Sequence, residues 1–162
     1  MKRFENKVVI VTGASRGIGQ AICVAFGREG ANVVGVARSD LDETGQHVAK
    51  AGGNFIPINF DLGQGTQAKA KQLISAVLEK AGRIDVLVNN AGIIRRAPAV
   101  DFSEEDWNAV IRTNLNSPFF LSQAVAKWWL TGGRTLASPS RLKVVNVASL
   151  LSFQGGITVP AY

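Results

Sequence analysis

Cysteine and histidine are almost absent: Cys23 and His47 stand alone among 162 residues. A disulfide framework within the chain is thereby excluded, and so is a His/Cys metal cluster; no metal is expected. Long apolar runs are missing too. The run Val8–Val11 is far too short for a membrane span or a signal-peptide core. Charge is sparse, with 19% charged against 46% hydrophobic residues, which excludes a disordered chain and supplies a buried core. The net charge of +6 is scattered, and its tightest pairs are only Lys2-Arg3 and Arg95-Arg96. No basic stripe with interleaved aromatics is present, which argues against nucleic acid as a partner. These absences lead to the expectation of a soluble, cytoplasmic protein with no membrane or nucleic-acid partner. The length suits one domain over 1–162.

Short β-branched runs alternate with helical periods. Lys7 to Thr12, Asn32 to Ala37, Asn54 to Phe60, Asp85 to Asn89 and Lys143 to Val147 read as five strands. Pro57 places the third at an edge or in irregular pairing. Ile18, Ala21, Ile22, Ala25 and Phe26 fall at helical spacing, as do Leu73, Ile74, Val77, Leu78 and Ala81. Leu41 to Ala51 reads as a modest helix. Ser103 with Asp106 reads as the cap of a long helix running to about Trp129. Thr131 to Arg141 reads as a polar surface loop. Strand–helix alternation with near-continuous apolar strands predicts an α/β fold: a doubly wound, Rossmann-like parallel sheet with ligands at the carboxyl ends of its strands.

Polar and glycine residues gather where those ends should lie. Thr12 to Gly19 reads TGASRGIG between the first strand and first helix. Its glycines let backbone approach a diphosphate, and the helix end supplies free N–H groups and a favourable dipole. Without a ligand it would be a plain glycine turn. Arg38 follows the second strand, where dinucleotide folds select the adenosine ribose. With Arg16 it suits a 2′-phosphate, hence NADP(H), because guanidinium offers a planar fork to phosphate oxygens. The other reading leaves both arginines exposed and gives the ribose to Asp40. Asp61 can accept from an adenine amino group or cap the next helix. Asn89-Asn90-Ala91-Gly92 permits close cofactor packing, or is a simple turn. Asn114 interrupts the apolar face of the long helix and needs a partner. It is either an amide satisfied by backbone or an active-site residue that distorts the helix and holds a water. Ser149 follows the fifth strand, and Tyr162 comes thirteen residues later. Hydride transfer to a carbonyl needs a proton donor and a hydrogen-bond partner for the developing alkoxide, which a phenol and a hydroxyl can supply. Arg95 and Arg96 either attract a carboxylate substrate or form a solvated pair. Cys23 is expected as a buried small apolar residue and His47 as a surface one.

Jointly, TGASRGIG, Asp61-Leu62, NNAG, Asn114 and the Ser149–Tyr162 spacing resemble the short-chain dehydrogenase/reductase family over essentially the whole chain. That resemblance implies hydride transfer between NADP(H), or secondarily NAD(H), and a secondary alcohol or ketone. It implies cofactor contacts from Gly13, Ser15, Arg16, Gly17, Ile18, Gly19, Arg38, Asp61, Leu62, Asn90, Ala91 and Gly92. Ser149 would orient the carbonyl, Tyr162 would serve as acid/base, and Asn114 would support a proton-relay water. The stretches NNAGIIRR, FSEEDWNAVIRTNLNSPFFLSQA and NVASLLSFQGGITVPAY are similar to the deoxygluconate dehydrogenase branch, which implies a sugar-acid substrate. That branch is commonly linked to NAD, against the reading of Arg38. A homotetramer or dimer is implied for the intact enzyme. The family places a lysine four residues beyond the tyrosine, whereas this sequence stops at Tyr162, so a chain truncated before the last two strands is expected. A catalytically inactive nucleotide-binding fragment and a 3-oxoacyl thioester reductase are the alternatives.

Overall fold

Valine and isoleucine fill the strands, and the pleat sends alternate side chains to opposite faces. In β1 (Val8–Thr12) that alternation builds two cores at once. Val9 and Val11 join Val33, Cys23 and Val48 on one side, while Val8 and Ile10 join Val34, Leu73, Val77, Leu121 and Val125 on the other. A computed structural model describes residues 2–133 and 141–162. Its five parallel strands are β1, β2 (Asn32–Ala37), β3 (Asn54–Asn59), β4 (Val86–Asn89) and β5 (Lys143–Asn146), in the order β3-β2-β1-β4-β5. The helices are α1 (Gly17–Arg28), α2 (Asp42–Lys50), α3 (Gln67–Ala81), α4 (Glu104–Ile111), α5 (Ser117–Trp128) and the short α6 (Leu151–Gln154). The doubly wound, Rossmann-like expectation is borne out. Pro57 lies on β3 opposite Gly35, and β3 is an edge strand. The order reverses beside β1, so the crevice above β1 and β4 is the switch point at which open α/β sheets bind ligands.

The sequence pattern caught part of the packed face of α1: Ile22 and Phe26 pack against the core and Cys23 is buried as expected, but Gly19 and Gly27 are buried too and Ile18 is 65% exposed. Small residues at this spacing bring the helix close to the strands, and Ile18 in the first turn is left at the crevice mouth. Cys23 is fully buried, and burial raises its thiol pKa from 9.0 to about 12. His47 is half-buried on α2.

The long helix begins as expected, with Ser103 Oγ accepting from the Asp106 amide at 3.1 Å. It is not uninterrupted. Arg112–Asn116 forms a π turn between α4 and α5. Pro118, at the start of α5, has no N–H for the carbonyl of Asn114, so the wider turn forms where the regular ladder lacks a donor. A second π-type turn, Trp129–Gly133, extends α5. Most of the expected Thr131–Arg141 loop, residues 134–140, lies outside the described residues. Among the described residues no helix is long and apolar enough to cross a membrane, and no His/Cys/Asp/Glu group could hold a metal.

Candidate functional site

The site is assembled from the carboxyl ends of all five strands. β1 ends in Thr12, whose hydroxyl accepts from the amides of Asn90 and Ala91, each at 3.0 Å. The same hydroxyl lies 3.3 Å from the carbonyl of Val88, to which it donates. The Asn90 side-chain Nδ2 donates to the carbonyls of Thr12 (2.9 Å) and Gly13 (3.3 Å). The NNAG segment is thus bolted to the glycine turn rather than being a free turn. Gly19 is needed for this closeness: a Cβ there would overlap the Gly13 carbonyl oxygen and sit 2.6 Å from the Asn90 amide nitrogen. From the other side, buried Thr44 of α2 donates to the Ala14 carbonyl at 2.9 Å and accepts from Gln20 at 3.1 Å.

The start of α1 suits an anion. Arg16 is its extended N-cap and makes no side-chain cap, and the first turn carries no acidic residue. Gly17 has φ +58°, a conformation that favours glycine, and open space where a side chain would project. An uncapped helix end beside an open glycine fits the diphosphate of a dinucleotide. Gly13, Ser15, Arg16, Gly17, Ile18 and Gly19 make up this turn and the first residues of α1.

At the ends of β2 and β3, Arg38 Nε lies 3.8 Å from Asp61 Oδ1, with both side chains more than half exposed. Ser39 donates to Ser15 at 2.9 Å, closing the glycine turn onto the β2 end. Asp40 is already engaged, since Oδ1 accepts from the Asp42 amide at 2.8 Å at the start of α2. Asp61 accepts from the Gly63 amide at 2.8 Å. Thr66, not Asp61, caps α3 by accepting from the Lys69 amide at 3.3 Å. Asp61 is more than half exposed, and Leu62 next to it is buried in the core.

The Asn114 amide is satisfied by backbone, as one of its two readings expected. Oδ1 accepts from the Ile93 amide at 2.9 Å, and Nδ2 donates to the Ile93 carbonyl at 2.8 Å. It does so from inside the π turn. The strand exit beyond Gly92 is therefore clasped on both backbone groups. Arg95 next turns to α4, with Nε 3.0 Å from Asp106 Oδ1. Among the described residues Arg96 makes no ion pair, and it is exposed.

Ser149 lies beyond β5, and its Oγ accepts from the Leu151 amide at 3.2 Å as α6 begins. The chain then returns to the site. The Ala97 amide donates to the Thr158 carbonyl at 3.1 Å, buried Val159 anchors the segment, and the Tyr162 amide donates to the Val159 carbonyl at 3.1 Å. This docking brings the Tyr162 segment against the segment that carries Arg95 and Arg96. Tyr162 is 45% exposed. Thr12, Thr44, Ser117 and Pro118 escaped sequence reasoning as site supports. Only Pro118 left a visible signal, at four residues beyond an asparagine in a helical stretch.

Together these features define a doubly wound α/β domain with a dinucleotide-type crevice at its switch point. The chain belongs to the short-chain dehydrogenase family, whose description as short chain dehydrogenase matches residues 7–162. It is 40% identical over 159 residues to the 2-dehydro-3-deoxy-D-gluconate 5-dehydrogenase of Escherichia coli K12, covering 98% of this chain and 60% of that protein. The Bacillus subtilis protein of the same description is 43% identical over 160 residues, covering 98% and 59%. A crystal structure from Agrobacterium tumefaciens, described as a 2-deoxy-D-gluconate 3-dehydrogenase with bound NADP, matches with a TM-score of 0.83. Its identity is 47%, over 98% of this chain and 59% of that one. The chain thus spans about 60% of the length of the curated relatives it matches. The family resemblance carried by the motifs is borne out.

Proposed function

We propose that this chain binds NADP(H) as a single dinucleotide-binding domain of a cytoplasmic oxidoreductase. The whole protein would transfer a hydride reversibly between NADP(H) and a secondary alcohol or ketone of a sugar acid, such as a deoxygluconate. The uncapped, glycine-lined start of α1 carries the reading. Gly13 to Gly19 hold the diphosphate. Asn90, Ala91 and Gly92 wall the crevice, and Asp61 and Leu62 border the adenine. Arg38 and Arg16 take the 2′-phosphate. Arg16 and Arg38 are both exposed, which supports NADP over NAD because a guanidinium offers a planar fork to phosphate oxygens. The relatives named as deoxygluconate dehydrogenases and the NADP-bound neighbour support the substrate class and cofactor.

When bound, the nicotinamide supplies or accepts the hydride. The Tyr162 hydroxyl then donates the proton to the substrate oxygen, or takes it in the reverse direction. Ser149 donates its hydroxyl hydrogen to that oxygen as its charge develops, while its Oγ still accepts from the Leu151 amide. Asn114 holds the segment beyond Gly92 and thereby shapes the pocket floor. Arg96 takes the substrate carboxylate, while Arg95, tied to Asp106, orients the segment. Exposed Leu115 and Phe119 on the helix surface support a dimer or tetramer.

Calorimetric titration with NADPH and NADH tests the nucleotide reading. Tighter binding of NADPH is expected. Tighter NADH binding overturns the cofactor assignment, and no heat from either overturns the reading as a whole. Turnover of deoxygluconates against 3-oxoacyl thioesters by the whole protein tests the substrate class.

A further inference from the structure

Ser117 is 4% exposed, and its hydroxyl donates at 2.7 Å to the carbonyl of Leu62, fifty-five residues away. Serine and threonine inside helices commonly bond back to their own helix. Ser122 does so, donating to the Pro118 carbonyl at 2.6 Å, and Thr131 donates to the Lys127 carbonyl at 2.9 Å. Ser117 instead spends its hydroxyl on the loop that follows β3. The Leu62 carbonyl also accepts the Gly65 amide at 3.0 Å, so two donors fix one oxygen. At Gly65 the loop presses on the π turn: a Cβ there would stand 2.5 Å from the Arg112 carbonyl oxygen and 2.8 Å from the Arg112 Cα. The loop therefore rests on the same π turn that carries Asn114. Asp61 is one residue before the gripped carbonyl. Its carboxylate is held by the Gly63 amide within this loop and faces Arg38.

We infer that Ser117 is a positioning residue for the adenosine end of the nucleotide, fixing the Asp61–Gly65 loop to the π turn through the Leu62 carbonyl. Ser117 touches no ligand in this role. It holds the backbone from which Asp61 meets the adenosine. The π turn then has two tasks, since Asn114 clasps Ile93 on one side and Ser117 secures the adenosine loop beside it. The inference rests on the nucleotide reading proposed above.

The test uses the full chain with adenosine 2′,5′-bisphosphate as probe, its affinity measured by calorimetry. Ser117→Ala should weaken binding about fivefold, the worth of one net hydrogen bond. Ser117→Thr, which keeps the hydroxyl, should restore affinity to within twofold of wild type on the same scale. Gly65→Ala, which forces the loop off the π turn, should lose more than Ser117→Ala. An alanine variant within twofold of a wild type that binds overturns the inference and leaves the nucleotide reading standing. A threonine variant as weak as the alanine one also overturns it. A wild type that gives no heat with the bisphosphate overturns the nucleotide reading, and this inference with it.

Discussion

β1 and β5 are both short valine-rich parallel strands of one sheet, yet every residue of β1 is buried and every residue of β5 is exposed. Both pair with β4, which lies between them. β1 has β2 on its other side and helices over both faces. Among the described residues β5 has neither, and Val144, Val145 and Val147 are each 40% or more exposed. The contrast extends to the turns that follow. The turn after β1 is held by Thr12, Asn90, Thr44 and Ser39. Among the described residues the segment after β5 is held to the rest of the chain by the bond from the Val147 amide to the Asn89 carbonyl, the bond between Ala97 and Thr158, and buried Val159. The glycine-turn half of the candidate site is thus fixed by several side chains, whereas the half carrying Ser149 and Tyr162 has fewer side-chain bonds among the described residues. Valine content alone does not distinguish a central strand from an open edge; the coverage of its neighbours does.

The largest effect that would break this comparison is expected at Gly19. Gly19→Val drives a side chain into the Gly13 carbonyl and the Asn90 amide. Nucleotide binding should fall below detection by calorimetry, with a loss of stability of about 3 kcal/mol in denaturant unfolding. Binding retained at wild-type strength would show that the turn is looser than its geometry.

The strands themselves come next. Ile10→Ala in β1 should cost about 2–5 kcal/mol, because it opens a cavity in a full core. Val145→Ala in β5 should cost less than about 0.5 kcal/mol. Equal costs in chemical denaturation would mean that β5 is covered in solution, which would sharpen the case for self-association.

Cofactor choice follows. Arg38→Ala should weaken NADPH binding about tenfold and leave NADH within twofold, since a charge-assisted phosphate contact is worth about 1.5–3 kcal/mol. A parallel loss for both nucleotides would place Arg38 in the support of Asp61 rather than on a 2′-phosphate.

The last effect is confined to alkaline pH. The thiol of Cys23 rises from 9.0 in the unfolded chain to about 12 in the folded one, because burial penalises the thiolate. Above pH 9 the unfolded chain sheds this proton while the folded chain keeps it, so the unfolded state binds fewer protons. The stability contributed by the buried neutral thiol is present below pH 9 and is lost as pH rises from 9.0 toward about 12. Cys23→Ala should flatten that part of the stability–pH curve measured by urea unfolding. An unchanged slope would show that other groups govern it.

Most of the nucleotide half was legible in the sequence, because glycines, β-branched runs and strand-end asparagines act locally. TGASRGIG lies between β1 and α1 as read, and Arg38, Asp61 and Asn90 emerge at the same sheet edge. The face of α1 was legible only in part: Ile18 looks like core by spacing, but close approach of the helix favours Gly19, Cys23 and Gly27. The bond from the Asp42 amide to Asp40 and the pairing of Arg95 with Asp106 were not legible.

The amino-acid order by itself determined the alternation of strand and helix, the glycine turn and the residue types at each strand end. These follow from side-chain period, backbone freedom and the chemistry of single residues. Only the tertiary structure decided which valines are core and which are edge, and which polar side chains are spent on backbone. It also decided which charges remain for a ligand. Those outcomes depend on groups far apart in the chain: a hydroxyl at Ser117 and a carbonyl at Leu62 acquire a role only when folding brings them to 2.7 Å.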